Sequence, residues 1–201
     1  DTVEPQVLSA PNSFYGLTYN NHFFVAHQPD GSNGPSVLQN SASRDLSSFN
    51  SLNAFNIESN NNDVIKALFK IGGYLGVGKQ GSLTLLRGNN FDATNAGYDA
   101  YVLPPYTGGG ILSQGSVVYD RYGRVYFFND TGFWRLDAVN LPPKLISDKI
   151  APDIRKINLG RVEEITSLHV PQIQELWWSV PVGGDFEFWR YIYRNDVLRN
   201  G

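Results

Sequence analysis

The sequence predicts an all-β protein of the β-propeller class, and three features of the chain support this prediction. Glycine (20 residues), proline (11 residues) and aromatic residues (13%) are abundant, which is typical of short strands joined by tight turns. Long stretches of Ala, Glu, Lys and Leu at helical spacing are missing. An apolar strand, a polar turn and an aromatic-rich strand recur about every fifty residues, a period typical of propellers.

The repeat is aligned on the residue that ends the first turn of each unit. These residues are Asn21, Gly73, Gly123 and Gln174, with spacings of 52, 50 and 51 residues. The Asn-Asn and Gly-Gly pairs tolerate positive φ and suit two-residue hairpin turns. The strand pairs predicted around the turns are 14–19 with 22–26, 64–71 with 74–77, 116–119 with 124–128, and 165–170 with 175–180.

A third strand follows in each unit, at residues 36–39, 82–87, 133–136 and 186–193. The chain is therefore predicted to be a single domain, 1–201, with repeat units at 12–59, 62–110, 111–160 and 161–201. Propellers have about four to eight blades, so these four units make either a whole propeller or part of a larger one. A β-sandwich is the alternative, and the even spacing favours the propeller.

Irregular segments separate the predicted strands. Residues 147–157 are predicted to form a short helix, because Ile150, Ile154 and Ile157 share one helical face and Pro152 lies near the start. Residues 43–49 are predicted to form a second helical turn. The stretches 28–35 and 89–110 are expected to be long loops that carry contacts to other molecules.

Composition narrows the classes of function. The net charge of -3 and the pI near 5.6 argue against a surface that coats nucleic acid. The sequence has no Cys for disulfides or thiolate sites and only three His, without metal-ligand spacing. No apolar run reaches the roughly 18 residues of a membrane span. The absence of Met predicts a fragment or a processed product of a longer polypeptide.

One segment resembles a phosphate-binding loop. The residues from Gly73 to Gln80 (GYLGVGKQ) match G-x-x-x-x-G-K-[ST] except at the last position. A phosphate loop must open a helix, whereas a strand is predicted after Lys79. We therefore interpret Lys79 as a residue at a hairpin tip, and Asp120 as part of the equivalent turn of the next unit rather than a magnesium ligand. The overlapping glycine pattern from Gly76 to Gly81 fails as a dinucleotide site for the same reason.

Catalytic signatures are weak in this sequence. Ser113 lacks the first glycine of G-x-S-x-G, His22 and His169 lie in predicted strands, and His27 precedes a loop. Acidic residues are candidates for glycosidase chemistry, which needs two carboxyl groups roughly 5–10 Å apart. The adjacent pair Glu163 and Glu164 would point to opposite sides of an extended chain. The candidate acids are Asp63, Asp120, Glu163, Glu164 and Glu175.

Aromatic residues are concentrated in the last unit. We interpret them as packing between neighbouring units, since alternate residues of a strand face opposite sides. A sugar-binding groove is the alternative. The residues concerned are Trp177, Trp178, Phe188, Trp189 and Tyr191.

Several segments, taken in order, resemble propeller-containing tail proteins of bacteriophages, particularly the nozzle-type proteins of short-tailed phages. The resemblance covers roughly residues 15–195, and its motifs are degenerate. The segments that carry it are 21–26, 41–49, 55–57, 63–70, 81–88, 115–120, 125–136 and 145–150.

The resemblance implies a non-enzymatic virion component without catalytic, cofactor or metal site residues. It further implies a homo-oligomeric ring that docks on adaptor and other tail proteins, surrounds a DNA channel and makes non-specific contact with passing DNA. A carbohydrate-active propeller, either a glycosidase or a lectin, is the alternative function. A propeller scaffold of a host or bacterial protein is a third.

Overall fold

The protein is described by a computed structural model covering residues 13–26, 34–57, 63–92, 95–102, 109–184, 187–194 and 197–200. Within these residues, sixteen strands form four antiparallel sheets, and each sheet contains four consecutive strands in sequence order. The all-β prediction is confirmed. Each sheet lies inside one of the four repeat units defined by the sequence.

The first two sheets occupy the N-terminal half of the chain. The first sheet contains β1 (Tyr15–Tyr19), β2 (His22–Ala26), β3 (Val37–Ala42) and β4 (Asp45–Asn56). The second sheet contains β5 (Ile65–Ile71), β6 (Tyr74–Lys79), β7 (Leu83–Asp92) and β8 (Asn95–Val102).

The last two sheets are separated by the helical segment. The third sheet contains β9 (Val118–Tyr119), β10 (Val125–Asn129), β11 (Gly132–Leu136) and β12 (Lys144–Leu145). The fourth sheet contains β13 (Thr166–Val170), β14 (Glu175–Pro181), β15 (Phe188–Arg194) and β16 (Val197–Asn200).

The predicted turns between the first two strands of each unit are confirmed. The residue that ends each turn has positive φ in all four units, which gives the backbone twist that hairpin turns need. The values are 64° for Asn21, 78° for Gly73, 75° for Gly123 and 58° for Gln174.

The left-handed conformation of Gln174 leads to a prediction about stability. A non-glycine residue at positive φ costs about 1–2 kcal/mol. Glycine removes this cost, but its greater conformational freedom in the unfolded chain offsets part of the gain in stability. Gln174→Gly is therefore expected to raise the free energy of unfolding by up to about 1 kcal/mol, measured by urea denaturation. Gln172→Gly, at a turn position without positive φ, is the control and should not stabilise. A loss of stability in Gln174→Gly would contradict the prediction.

Two predicted irregular regions are strands instead. Residues 43–49 were expected to be helical, but Ser43 and Arg44 form a turn and β4 starts at Asp45. The expected loop 89–110 is also wrong in part, because β7 and β8 pair along most of it. Asn-rich segments have low strand propensity, and pairing with a neighbouring strand overrides it.

The other irregular regions agree in part with the sequence-based predictions. Of the predicted loop 28–35, only Gly34 and Pro35 lie within the described residues. The first strand of the third unit begins at Val118 rather than residue 116, because Gln114–Ser116 forms a 3₁₀ turn. The predicted helix 147–157 is shorter, with a 3₁₀ turn followed by α1 (Ala151–Ile154).

Neighbouring sheets pack face to face through three apolar clusters. Because strand side chains alternate between the two faces, the second and third sheets are buried on both sides. No such cluster joins the fourth sheet to the first among the residues described. Representative residues are Phe24 and Leu75 between the first and second sheets, Phe69 and Phe127 between the second and third, and Phe133 and Trp178 between the third and fourth.

Candidate functional site

Lys79 does not lie at a hairpin tip, so that part of the prediction is wrong. β6 continues through Lys79, its side chain is fully buried, and Nζ donates a hydrogen bond to the carbonyl oxygen of Ile57 at 2.9 Å. The strand predicted after Lys79 is confirmed, because β7 begins at Leu83. The segment therefore lacks the helix N-terminus that a phosphate loop uses.

The acids Asp63 and Asp120 hold turns together. The Asp63 carboxylate accepts hydrogen bonds from the Gly81 amide at 2.9 and 3.0 Å and from the Ser82 hydroxyl at 3.2 Å. Asp120 accepts from the Arg124 amide at 3.1 Å and from Arg124 Nε at 2.5 Å. Each carboxylate therefore stabilises a turn between two strands.

Glu163 and Glu164 lie in a 3₁₀ segment rather than in the extended chain considered above. Glu163 Oε1 accepts from Lys66 Nζ at 2.7 Å and from the Tyr15 hydroxyl at 3.5 Å. Burial raises the pKa of Tyr15, and the Glu163 charge raises it further. Arg161 donates to Glu164 and lowers the pKa of that carboxyl. The two acids therefore have different partners.

Glu175 is the most deeply placed of the candidate acids, with 5% of its surface exposed. Its carboxylate accepts from Trp177 Nε1 at 2.8 Å and lies 3.5 Å from Arg194 and 3.9 Å from Arg199. Each of the five candidate acids is thus held by its own set of donors.

Among the described residues, the candidate nucleophile and the candidate bases belong to different elements of the fold. The buried Ser113 accepts from the Gly115 amide at 3.2 Å and caps a 3₁₀ turn. His22 is buried with Nδ1 2.7 Å from the Ser41 carbonyl oxygen. His169 lies in β13, as predicted for a strand residue, and His27 lies outside the described residues.

The prediction that aromatic residues pack between units is confirmed for Trp178, Tyr191 and Trp189, which contact the apolar cluster between the third and fourth sheets. Trp178 and Tyr191 are fully buried and Trp189 is partly buried, and Trp178 Nε1 donates to the Ser116 carbonyl oxygen at 2.9 Å. It is wrong for Phe188, which is 43% exposed on the opposite face of the fourth sheet. A cationic side chain lies over the ring of each of three of these aromatic residues: Arg161 over Phe188, Arg190 over Trp177 and Lys156 over Trp189.

A polar cavity of about 200 Å³ lies between the ends of the third and fourth sheets. One wall is the turn that begins at Asp120, and the opposite wall contains His169 and Gln174. Tyr126 and Tyr193 also line the cavity, and the centres of their rings are 5.3 Å apart. This cavity brings together more polar side chains than any predicted motif.

Charge and hydrogen bonding order the turn beside this cavity. Asp120 Oδ2 accepts from the Tyr126 hydroxyl at 3.2 Å and from Arg124 Nε. Burial raises the pKa of Tyr126, and the Asp120 charge raises it further. The Tyr126 hydroxyl therefore remains a proton donor to Asp120. The Arg121 guanidinium lies 4.5 Å from the centre of the Tyr122 ring.

The sequence motifs predicted no functional role for Arg121, Tyr122 or Arg124. The available signal was two arginines and a tyrosine in the single turn DRYGR. The turn can be recognised as part of a site only in the structure, where His169, about fifty residues later in the sequence, lines the same cavity.

The described residues contain no group of three or more His, Asp or Glu positioned to hold a metal ion. None of the helices in the described part of the chain has the length and apolar character needed to cross a membrane. No protein-family model matches the chain. No curated protein matches it at a significant level.

Proposed function

We propose that this chain is a non-enzymatic structural component of a bacteriophage tail that assembles with further copies of itself. The phage context comes from the sequence resemblance described above. The assembly role is supported by one exposed sheet face. The proposal includes a propeller-like arrangement of the four sheets, with the first strand of each sheet nearest a common axis.

Contacts between neighbouring units and between more distant ones support such an axis. The Gln114 side chain bonds to both the amide and the carbonyl of Leu68 in β5, at 2.7 and 3.2 Å. Glu163, just before β13, contacts Lys66 in β5 and Tyr15 in β1. Residues from or beside the first strands of different sheets therefore meet, as a propeller requires.

The observation that carries the assembly proposal is the outward face of the fourth sheet. Leu168, Trp177 and Ile192 form a row across three strands of this face, and Phe188 lies beside them. Leu168 is 57% exposed and Trp177 is partly exposed, whereas Ile192 in the same row is only 8% exposed. No other sheet in the described part of the chain packs on this apolar row.

The repeat explains why this face has the character of a packing surface. Trp177 stands three residues after the turn residue Gln174, as Tyr126 stands three after Gly123. Tyr126 is buried in the cluster between the third and fourth sheets. The face of the fourth sheet that carries Trp177 is therefore the face on which the next sheet of a propeller would pack.

We commit to a second copy of this chain as the partner, contacting this face through its first sheet. The opposing face of that sheet carries the Phe23 ring, which lies directly over Gly16 in β1. Phe23 is partly exposed and precedes Phe24, which is buried against the second sheet. A contact between two different faces is heterologous and forms a ring when its rotation closes.

Leu168→Asp is expected to abolish self-association, because it would bury an unpaired carboxylate against an apolar surface. Sedimentation equilibrium should show oligomers of the wild-type chain that dissociate on dilution and a monomer for the variant. Leu141→Asp is the matched control, since Leu141 is 47% exposed outside the fourth sheet. A wild-type chain that stays monomeric at every concentration, or equal association in the Leu168 variant, would overturn the assembly proposal.

The phage context is tested by electron microscopy of native particles labelled with an antibody against the chain. The expected result is label at a ring in the tail. An isolated monomer that hydrolyses polysaccharide would contradict both the tail role and the non-enzymatic role, and would favour the carbohydrate-active alternative.

A further inference from the structure

We propose that the polar cavity between the third and fourth sheets binds a small organic carboxylate of monosaccharide size. This inference is independent of self-association, because it concerns the ends of two sheets rather than an outward face. The cavity of about 200 Å³ is lined by Asp120, Arg121, Tyr122, Arg124, Tyr126, His169, Gln174, Leu176 and Tyr193.

The cavity is pre-formed by contacts that do not need a ligand. The Tyr193 hydroxyl accepts from Arg135 at 2.8 Å, and the Tyr126 hydroxyl donates to Asp120 at 3.2 Å. Leu176 is buried beside them in the cluster that joins the two sheets. Side chains held in this way do not have to be ordered when a ligand binds, which lowers the cost of binding.

The charge of the lining favours an anion. Asp120 is its one carboxylate among the described residues, and Arg124 Nε neutralises that charge. The two terminal nitrogens of Arg124 make no hydrogen bond to the described residues, and Arg121 forms no ion pair with them. The planar edge of a guanidinium matches the two oxygens of a carboxylate.

Neutral polar groups on the opposite wall suit the hydroxyls of a sugar acid. His169 and Gln174 line that wall, and the Gln174 side-chain nitrogen also donates to the Pro171 carbonyl oxygen, which leaves its carbonyl oxygen as the acceptor for a ligand hydroxyl. Gln174 keeps its side chain at a φ of 58°, whereas the equivalent positions hold Gly73, Gly123 and Asn21, and both glycine and asparagine tolerate positive φ better than glutamine. Backbone strain at the rim of a cavity is common at binding sites.

The size of the cavity favours a small ligand over a polyanion. Nucleic acid binding usually depends on several phosphate contacts along a basic surface. Here two arginines lie at one end of a cavity whose other lining groups are neutral or already paired. A single carboxylate with attached hydroxyl groups satisfies these partners.

The test is isothermal titration calorimetry at low ionic strength with glucuronate, glucose and acetate as probes. Glucuronate should bind saturably, and glucose at least about tenfold more weakly because it lacks the charge. Acetate should also bind more weakly, because it lacks the hydroxyls that His169 and Gln174 would contact. Equal affinity for glucuronate and glucose, or no saturable binding of glucuronate, would overturn the proposal.

Variants locate the binding in this cavity. Arg124→Lys keeps the positive charge beside Asp120 but loses the planar edge, so the glucuronate Kd should rise about tenfold. Arg121→Gln, at an exposed turn position, should also weaken glucuronate binding without preventing folding. Arg155→Gln is the control outside the cavity and should leave the Kd unchanged. Wild-type affinity in both cavity variants would show that glucuronate binds elsewhere and would refute the assignment.

Discussion

Lys79→Ala is expected to lower the free energy of unfolding by at least about 3 kcal/mol. The substitution removes a fully buried side chain about as long as methionine, for which truncation to alanine in a core costs about 2–5 kcal/mol. It also leaves the buried carbonyl oxygen of Ile57 without the hydrogen bond from Nζ, which adds about 1–3 kcal/mol. Urea denaturation followed by circular dichroism measures the change.

Two further variants separate the contributions to this effect. Lys79→Met keeps most of the buried volume and loses the ammonium group, so it should cost less than Lys79→Ala, about 1–3 kcal/mol. Lys70→Ala is the matched control in the same sheet, because Lys70 is exposed, and should change stability by less than about 0.5 kcal/mol. Equal effects of Lys79→Ala and Lys70→Ala would mean that the Lys79 side chain lies in water, as a hairpin tip would place it.

Trp178→Ala is expected to destabilise the fold by about 3–5 kcal/mol. Trp178 fills the space between the third and fourth sheets, with its ring centre 4.9 Å from that of Phe133 and 6.4 Å from that of Tyr126. Its indole also donates to the Ser116 carbonyl oxygen. Trp178→Phe keeps an aromatic ring in place and should lower the free energy of unfolding by less than Trp178→Ala. Its cost comes chiefly from the loss of the indole hydrogen bond and of part of the buried area.

The neighbouring tryptophan is the natural control for this prediction. Trp177 points to the outward face of the fourth sheet and is partly exposed, so Trp177→Ala should cost clearly less than Trp178→Ala when both are measured by urea denaturation of the dissociated chain. The difference tests the register of β14 directly, because a one-residue slip would exchange the two faces. Equal or reversed effects would contradict this register.

The regular parts of the fold were accessible from local sequence. Positive φ at the turns requires glycine, asparagine or a strained residue, so the turn pairs Asn20–Asn21 and Gly72–Gly73 are visible in the sequence itself. Alternation of apolar residues identified most of the first three strands in each unit. All of β4, the second half of β7 and β8 were missed, because their polar residues become strands only by pairing with neighbours.

The site depended far more on tertiary structure. The segment GKQG around Lys79 has the composition of a turn, and only the packing of β6 against its neighbours shows that the lysine is buried. Likewise, Arg124 and His169 are 45 residues apart in the sequence, and they line the same cavity only because the third and fourth sheets pack together.

The sequence by itself therefore determined the strand period, the turns and the all-β class, since these depend on residues close in the chain. Tertiary structure decided which face of each strand is buried, where Lys79 lies and which side chains line the polar cavity. The physical reason is that burial and side-chain convergence arise between sheets, where residues distant in sequence exclude water together.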